Sequence, residues 1–216
     1  MKIGIDINGV LRDTIGKFSQ LYEKNYIDNP QEDLSYNTYD LDSSGNTTPI
    51  QSEEIKFEYK KISDVTTLEL GNHFAFQNKE ELFSFMYEEY AMELFGHAPS
   101  TEMTTFNTLN DLYLELREKH DLIIVSNEIG KSKPSSLFFL SKFGCLIEKV
   151  SFFSEITKEN MWNEIDILLT ADPLLLLEKP DNKVVIKYKT NYNSEIHSDY
   201  EIEKLSEFRT LIEKII

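Results

Sequence analysis

Four short apolar runs constrain this chain more than anything else in it: Ile3–Ile7, Leu122–Val125, Ile165–Leu169 and Val184–Tyr188. Each is β-branched or Leu-rich and lacks strict polar alternation, the pattern of parallel strands covered on both faces. Phe152-Phe153 is a candidate for another short one. Helical patterns separate the runs. "LNDLYLELREKH" places Leu109, Leu112 and Leu116 on one stripe with Tyr113 beside it, and "KPSSLFFLSKFG" opens with Pro134 near its first turn and stops at Gly144. "DYEIEKLSEFRTLIEKII" puts Ile202, Leu205, Phe208, Leu211 and Ile215 at helical spacing and predicts a closing helix. Strand alternating with helix predicts an α/β fold with a doubly wound parallel sheet and a Rossmann-like core. Between the first run and Leu109 the alternation stops. "IGKFSQLYEKNYI" and "KEELFSFMYEEYAMELF" read as amphipathic helices, and "LDSSGNTTPIQSEE" as a polar, turn-rich loop. The simplest organisation is an α/β core from residues 1–14 and 104–216, with a mostly helical insert over residues 15–103 after the first strand.

Composition narrows the class. With 40% hydrophobic residues, 14 Phe and 11 Tyr, the 216-residue chain carries too much apolar material to stay disordered. A net charge of −16 excludes general nucleic-acid or acidic-membrane binding, although a local basic pocket for a small phosphate is compatible with it. The single cysteine, Cys145, has no internal disulfide partner, which points to a reducing compartment. No secretory leader is visible, and the longest apolar stretch, Ile165–Leu177, is interrupted by Asp166, Asp172 and Pro173. The expectation is a soluble cytoplasmic protein.

In an open parallel sheet, ligands gather outside the carboxyl ends of the strands. Asp6 ends the first run, Ser126-Asn127 end the second, and Asp172 follows "ILLTA". Lys158 stands in the loop or helix start before that last run. These groups converge if the runs are neighbouring parallel strands. Each also has a plainer reading. Asp6 serves as a turn acid, Ser126-Asn127 as a polar strand end, and Lys158 as a solvated lysine in competition with Lys131 and Lys133. Asp13 reads as a local cap with Arg12 exposed. His73, His97, His120 and His197 show no metal-ligand spacing. Phe74, Phe76, Phe83, Phe85, Tyr87 and Tyr90 read as the insert's own core, with stacking on a nucleobase as the minority use. Cys145 reads as a small buried residue and not a nucleophile.

The order of these elements resembles a known family. "DINGVLRDT" is similar to the D-x-D-G-[TV]-L-x-D first motif of the haloacid dehalogenase (HAD) superfamily of phosphohydrolases. "LIIVSN" resembles its second motif, "ITK" the lysine of the third, and "DILLTADP" the fourth. The helical insert and "KYKTNYN" are similar to the 5'(3')-deoxyribonucleotidase branch. This resemblance implies a HAD-like core with a cap, and a Mg²⁺-dependent phosphohydrolase acting on a small phosphorylated substrate. Asp6 would attack phosphorus and form an aspartyl-phosphate. Asp6, the backbone carbonyl of Asn8 and Asp172 would ligate Mg²⁺, while Ser126, Asn127 and Lys158 would hold the phosphoryl oxygens.

Two positions depart from the pattern. The family's second aspartate, its general acid and base, is Asn8 here, and an amide cannot exchange a proton near neutral pH. Such help is worth about a hundred- to ten-thousand-fold in rate. In the fourth motif Thr170 and Ala171 stand where paired acids are expected, with Asp172 one place late. Two functions follow: an impaired phosphohydrolase of nucleotidase type, or a catalytically inactive HAD-fold protein. The latter would act as a binding or assembly module, its acidic surface meeting a protein partner or serving a homo-oligomer.

Overall fold

In the computed structural model, which describes residues 1–28, 39–41, 47–49 and 57–215, the apolar runs become strands. In chain order these are β1 (Lys2–Asp6), β2 (Tyr39–Leu41), β3 (Thr47–Pro49), β4 (Asp121–Asn127), β5 (Val150–Phe153), β6 (Ile167–Thr170), β7 (Val184–Tyr188) and β8 (Tyr200–Ile202). The helices are α1 (Thr14–Tyr22), α2 (Lys79–Ser84), α3 (Thr105–Leu116), α4 (Ser132–Lys142), α5 (Lys158–Glu164), α6 (Pro173–Leu177) and α7 (Phe208–Ile215). Six strands form one sheet in the order β5-β4-β1-β6-β7-β8, every pair parallel. β2 and β3 pair antiparallel apart from it.

The chain lays strands outward from β1 through β4 to β5, then returns to the other side of β1 with β6. That reversal opens a crevice between the carboxyl ends of β1 and β6, where an α/β sheet places its ligands. Both faces of the sheet are covered, which is why the strands lack polar alternation. Ile3, Ile5, Ile124, Leu169 and Ile186 pack against Leu109 and Leu112 of α3, Phe139 and Leu140 of α4, and Phe208 and Ile212 of α7. Ile123, Val125, Leu168 and Val185 face the other way, onto Met161 and Trp162 of α5 and Leu175 and Leu176 of α6. A third cluster joins Phe18, Leu21 and Tyr22 of α1 to Leu70, Phe74, Phe85, Leu94 and Phe95.

Several expectations need correction. The closing segment is not one helix. Tyr200–Ile202 adds β8 alongside β7, a 3-10 turn spans Leu205–Glu207, and α7 begins only at Phe208. Ile202, Leu205, Phe208 and Ile212 turn inward, and Leu211 and Ile215 are only partly buried. Spacing of three fits strand-turn-helix as well as helix, and the open edge of β7 decides between them by offering backbone partners. The run over 79–95 is not continuous either: α2 gives way to π-helical turns at Phe85–Glu89 and Met92–Gly96. Phe83 is exposed, unlike the rest of the aromatic set. The predicted polar loop lies mostly outside the described residues, although Thr47–Pro49 within it forms β3.

Candidate functional site

β1 ends at Asp6 and the chain then folds back tightly. The amides of Leu11 and Arg12 both donate to the Ile7 carbonyl at 2.9 Å, and the Gly9 amide donates to the Arg12 carbonyl at 2.9 Å. Gly9 has φ +76°, and a Cβ there would collide with the Tyr192 hydroxyl and the Ala171 methyl. Asp13 then caps α1, accepting the Gly16 amide at 2.9 Å.

Asp6 sits at the crevice but is 3% exposed. Its Oδ2 accepts the Thr170 hydroxyl at 2.7 Å and its Oδ1 accepts the backbone N–H of Asn8 at 3.4 Å. Burial pushes the carboxyl up to about 7; the Thr170 hydrogen bond opposes this, and nearby Asp172 adds to it. Asp172 begins α6 as its N-cap, accepting the Leu174 amide at 2.8 Å, and burial raises its pKa as well. Lys158 opens α5 with its ammonium paired to Glu178 and, at 3.0 Å, to Glu155, which raise its pKa; it lies within electrostatic reach of Asp172. Asn127 is half-buried at the end of β4, in register with Phe153. Lys131 turns away to the Glu88 carbonyl at 3.2 Å.

Arg12, expected at the surface, is fully buried. All five of its N–H groups have a use. Nε donates to Thr14 at 3.2 Å, Nη1 to the Phe95 carbonyl at 2.6 Å and to Ser136 at 2.7 Å, and Nη2 to Asn8 Oδ1 at 2.7 Å and Glu128 at 2.6 Å. The rings of Phe95 and Phe139 lie 5.0 and 5.3 Å from the guanidinium carbon. One side chain thus ties the turn after β1 to α1, α4, the exit of β4 and the Met92–Gly96 turn. An arginine between Leu11 and Asp13 in a turn reads as surface; only the partners brought in by the fold make it a core residue.

That network accounts for the asparagine. Asn8 Oδ1 accepts from Arg12 and, at 2.7 Å, from the Thr14 hydroxyl. Its Nδ2 donates to Ser126 Oγ at 3.2 Å and Glu128 Oε1 at 3.4 Å. A donor is needed on one side and an acceptor on the other, and an amide supplies both. The structure therefore brings Asp6, Asn8 and Ser126 together, with Asp172 close to Asp6. It adds Arg12, Thr14, Glu128, Ser136, Thr170 and Tyr192. Of these, Arg12 and Thr14 lay within "DINGVLRDT", Thr170 in the fourth motif and Tyr192 in "KYKTNYN", whereas nothing local marked Glu128 or Ser136 as part of a site.

Tyr192 follows β7 on a loop pinned by the buried Asn193, whose amide donates to the carbonyls of Ala171 at 3.0 Å and Tyr188 at 2.9 Å. Burial raises the phenol's pKa, and Asp6, Asp172 and Asp13 act in the same direction. Beyond it opens a polar cleft of about 610 Å³, lined by Gly9, Asp13, Thr14, Ser19, Lys61 and Tyr192 among others. Magnesium demands hard oxygens in a near-octahedral shell and keeps several waters. Asp6 is nearly sealed with one oxygen on Thr170, and one oxygen of Asp172 is spent on the α6 amide. Among the described residues no three His, Cys, Asp or Glu are grouped to hold a metal. As arranged, these two carboxylates offer a divalent ion few free oxygens, so the Asn8 carbonyl and several waters would have to complete its shell.

No protein-family model matches the chain, and no curated protein does. The crystal structure of a "putative haloacid dehalogenase-like hydrolase" from Burkholderia xenovorans LB400 superposes with a TM-score of 0.58, at 9% sequence identity, over 99% of this chain and 97% of that one. The fold is HAD-like. No helix among the described residues is long and apolar enough to cross a membrane.

Proposed function

We propose that this chain is a binding or assembly module built on a HAD-like fold, its phosphoryl-transfer chemistry lost. The observation that carries this reading is the state of position 8. A general acid must deliver a proton to the leaving oxygen and take one back from water. Asn8 has none to give, and both ends of its amide are held by buried partners. The net charge of −16 then suits a basic protein partner, recruited by long-range attraction.

A second reading is favoured by Asp6. A carboxyl group at the reversal between β1 and β6, with a pKa of about 7, is ionised in a large fraction of molecules near neutrality. It would support a slow, Mg²⁺-dependent phosphohydrolase of nucleotidase type, confined to substrates whose leaving group needs no proton. Both readings meet in one assay, with p-nitrophenyl phosphate and deoxynucleoside monophosphates offered in turn, with and without Mg²⁺. The module reading expects no turnover of either class by the natural chain. Mg²⁺-dependent hydrolysis of p-nitrophenyl phosphate, abolished by Asp6→Asn, would refute it in favour of the second.

A further inference from the structure

Four donors converge on a single oxygen. Glu128 Oε1 accepts from Arg12 Nη2 at 2.6 Å, Ser136 Oγ at 2.8 Å, Ser126 Oγ at 3.2 Å and Asn8 Nδ2 at 3.4 Å. Arg12, Ser126 and Ser136 are fully buried and Glu128 is 1% exposed. A guanidinium, two hydroxyls and an amide aimed at one point are the donors of an oxyanion site. The carboxylate does not use that site fully: its other oxygen, Oε2, is buried with no hydrogen-bond partner among the described residues. Burying an unpartnered oxygen costs free energy, so the carboxylate is an imperfect occupant. Nor does the backbone call for an acid at this position, since Glu128 contributes only its amide, to the Phe153 carbonyl at 3.2 Å.

We propose that Arg12, Ser126, Ser136 and Asn8 form an oxyanion-binding pocket that the chain fills with its own Glu128 carboxylate. Glu128 acts as a tethered anion. While it is in place a free oxyanion such as phosphate is excluded by occupancy and by like charge. With it removed, the same donors take formate, acetate or phosphate from solution. The inference goes beyond the proposed function, because it concerns who occupies the pocket and not whether Asp6 turns over.

The test is oxyanion rescue of Glu128→Ala, followed by thermal unfolding in sodium formate, acetate or phosphate against sodium chloride at matched ionic strength. The variant is expected to melt below the natural chain in chloride. At ten times Kd, at least one oxyanion should raise its Tm, saturably, by about 3–6 °C above chloride. The natural chain and Glu128→Gln, whose amide oxygen still fills the pocket, should show no such response. Adding Ser136→Ala to Glu128→Ala should weaken the apparent affinity several-fold. The proposal is overturned if no oxyanion exceeds chloride for Glu128→Ala, or if the natural chain responds equally. If Glu128→Ala does not stay folded in chloride, the comparison is read as soluble yield on refolding in each salt. Higher yield in oxyanion supports the pocket, and equal yields overturn it.

Discussion

Replacing Asn8 with aspartate restores the residue found in the HAD first motif, yet the network around it predicts a cost in stability. The new carboxylate keeps the acceptor that Arg12 Nη2 approaches at 2.7 Å and turns the donor facing Glu128 Oε1 at 3.4 Å into a second acceptor. At an effective dielectric of 20 the attraction to Arg12 is about 6 kcal/mol and the repulsion from Glu128 about 5 kcal/mol, so the pairwise terms nearly cancel. What remains is the desolvation of a second carboxylate and the lost amide donor. We expect a net destabilisation of about 2–4 kcal/mol, or a Tm lower by about 5–12 °C. The sign of the pH dependence follows. The introduced carboxyl group, buried at position 8, has a folded pKa raised above the unfolded value of about 3.9, since its protonated form can still donate as the amide did. Asn8→Asp should therefore match the natural chain below about pH 4 and fall away as pH rises over about the next two units. Adding Glu128→Gln returns the buried charges to one cation and one anion, so the double variant should be more stable than Asn8→Asp alone above pH 7. Denaturant melts of the four-member cycle measure this coupling. Strict additivity, or an Asn8→Asp penalty that does not change with pH, would refute the reasoning.

Arg12→Met leaves Glu128 buried without its cation and removes the tie to the Phe95 carbonyl; a loss of about 3–5 kcal/mol is expected in urea melts. Gly9→Ala forces a side chain into φ +76° and against Tyr192 and Ala171, and should cost more than the ~1 kcal/mol of a tolerated glycine replacement, read as a lower Tm. Asp6 has its pKa raised to about 7, so the stability tied to its neutral form is complete below about pH 4 and is lost as pH rises through 7. In chelator-containing buffer, Asp6→Asn should flatten the fall in stability between pH 5 and 8, a difference of about 2.6 kcal/mol; an unchanged slope would place the titration elsewhere.

The sheet could be read from the chain because runs such as Leu122–Val125 and Ile165–Leu169 meet apolar layers on both sides, and that demand is written in composition and spacing alone. The placing of Asp6 and Ser126 at strand ends was legible for the same reason. β8 was not, because Tyr200–Ile202 is too short to carry a period of its own and owes its form to the exposed edge of β7. The expected burial of Phe74 and Phe85 followed from reading the aromatic set as the insert's own core, whereas the exposure of Phe83 within α2 was decided by which face of that helix the fold covers.

By itself, then, the sequence determined where hydrophobic demand would build strands and helices, and which polar groups would be left at the strand tips. Only the tertiary structure decided what those groups touch. Arg12 and Glu128 are 116 residues apart, and nothing local distinguishes either from a surface charge. Burial is a property of the partners that the fold delivers, and hydrogen bonds between distant residues leave no periodicity to read. Once Arg12 and Glu128 are enclosed together, an amide at position 8 follows from the need for one donor and one acceptor between them.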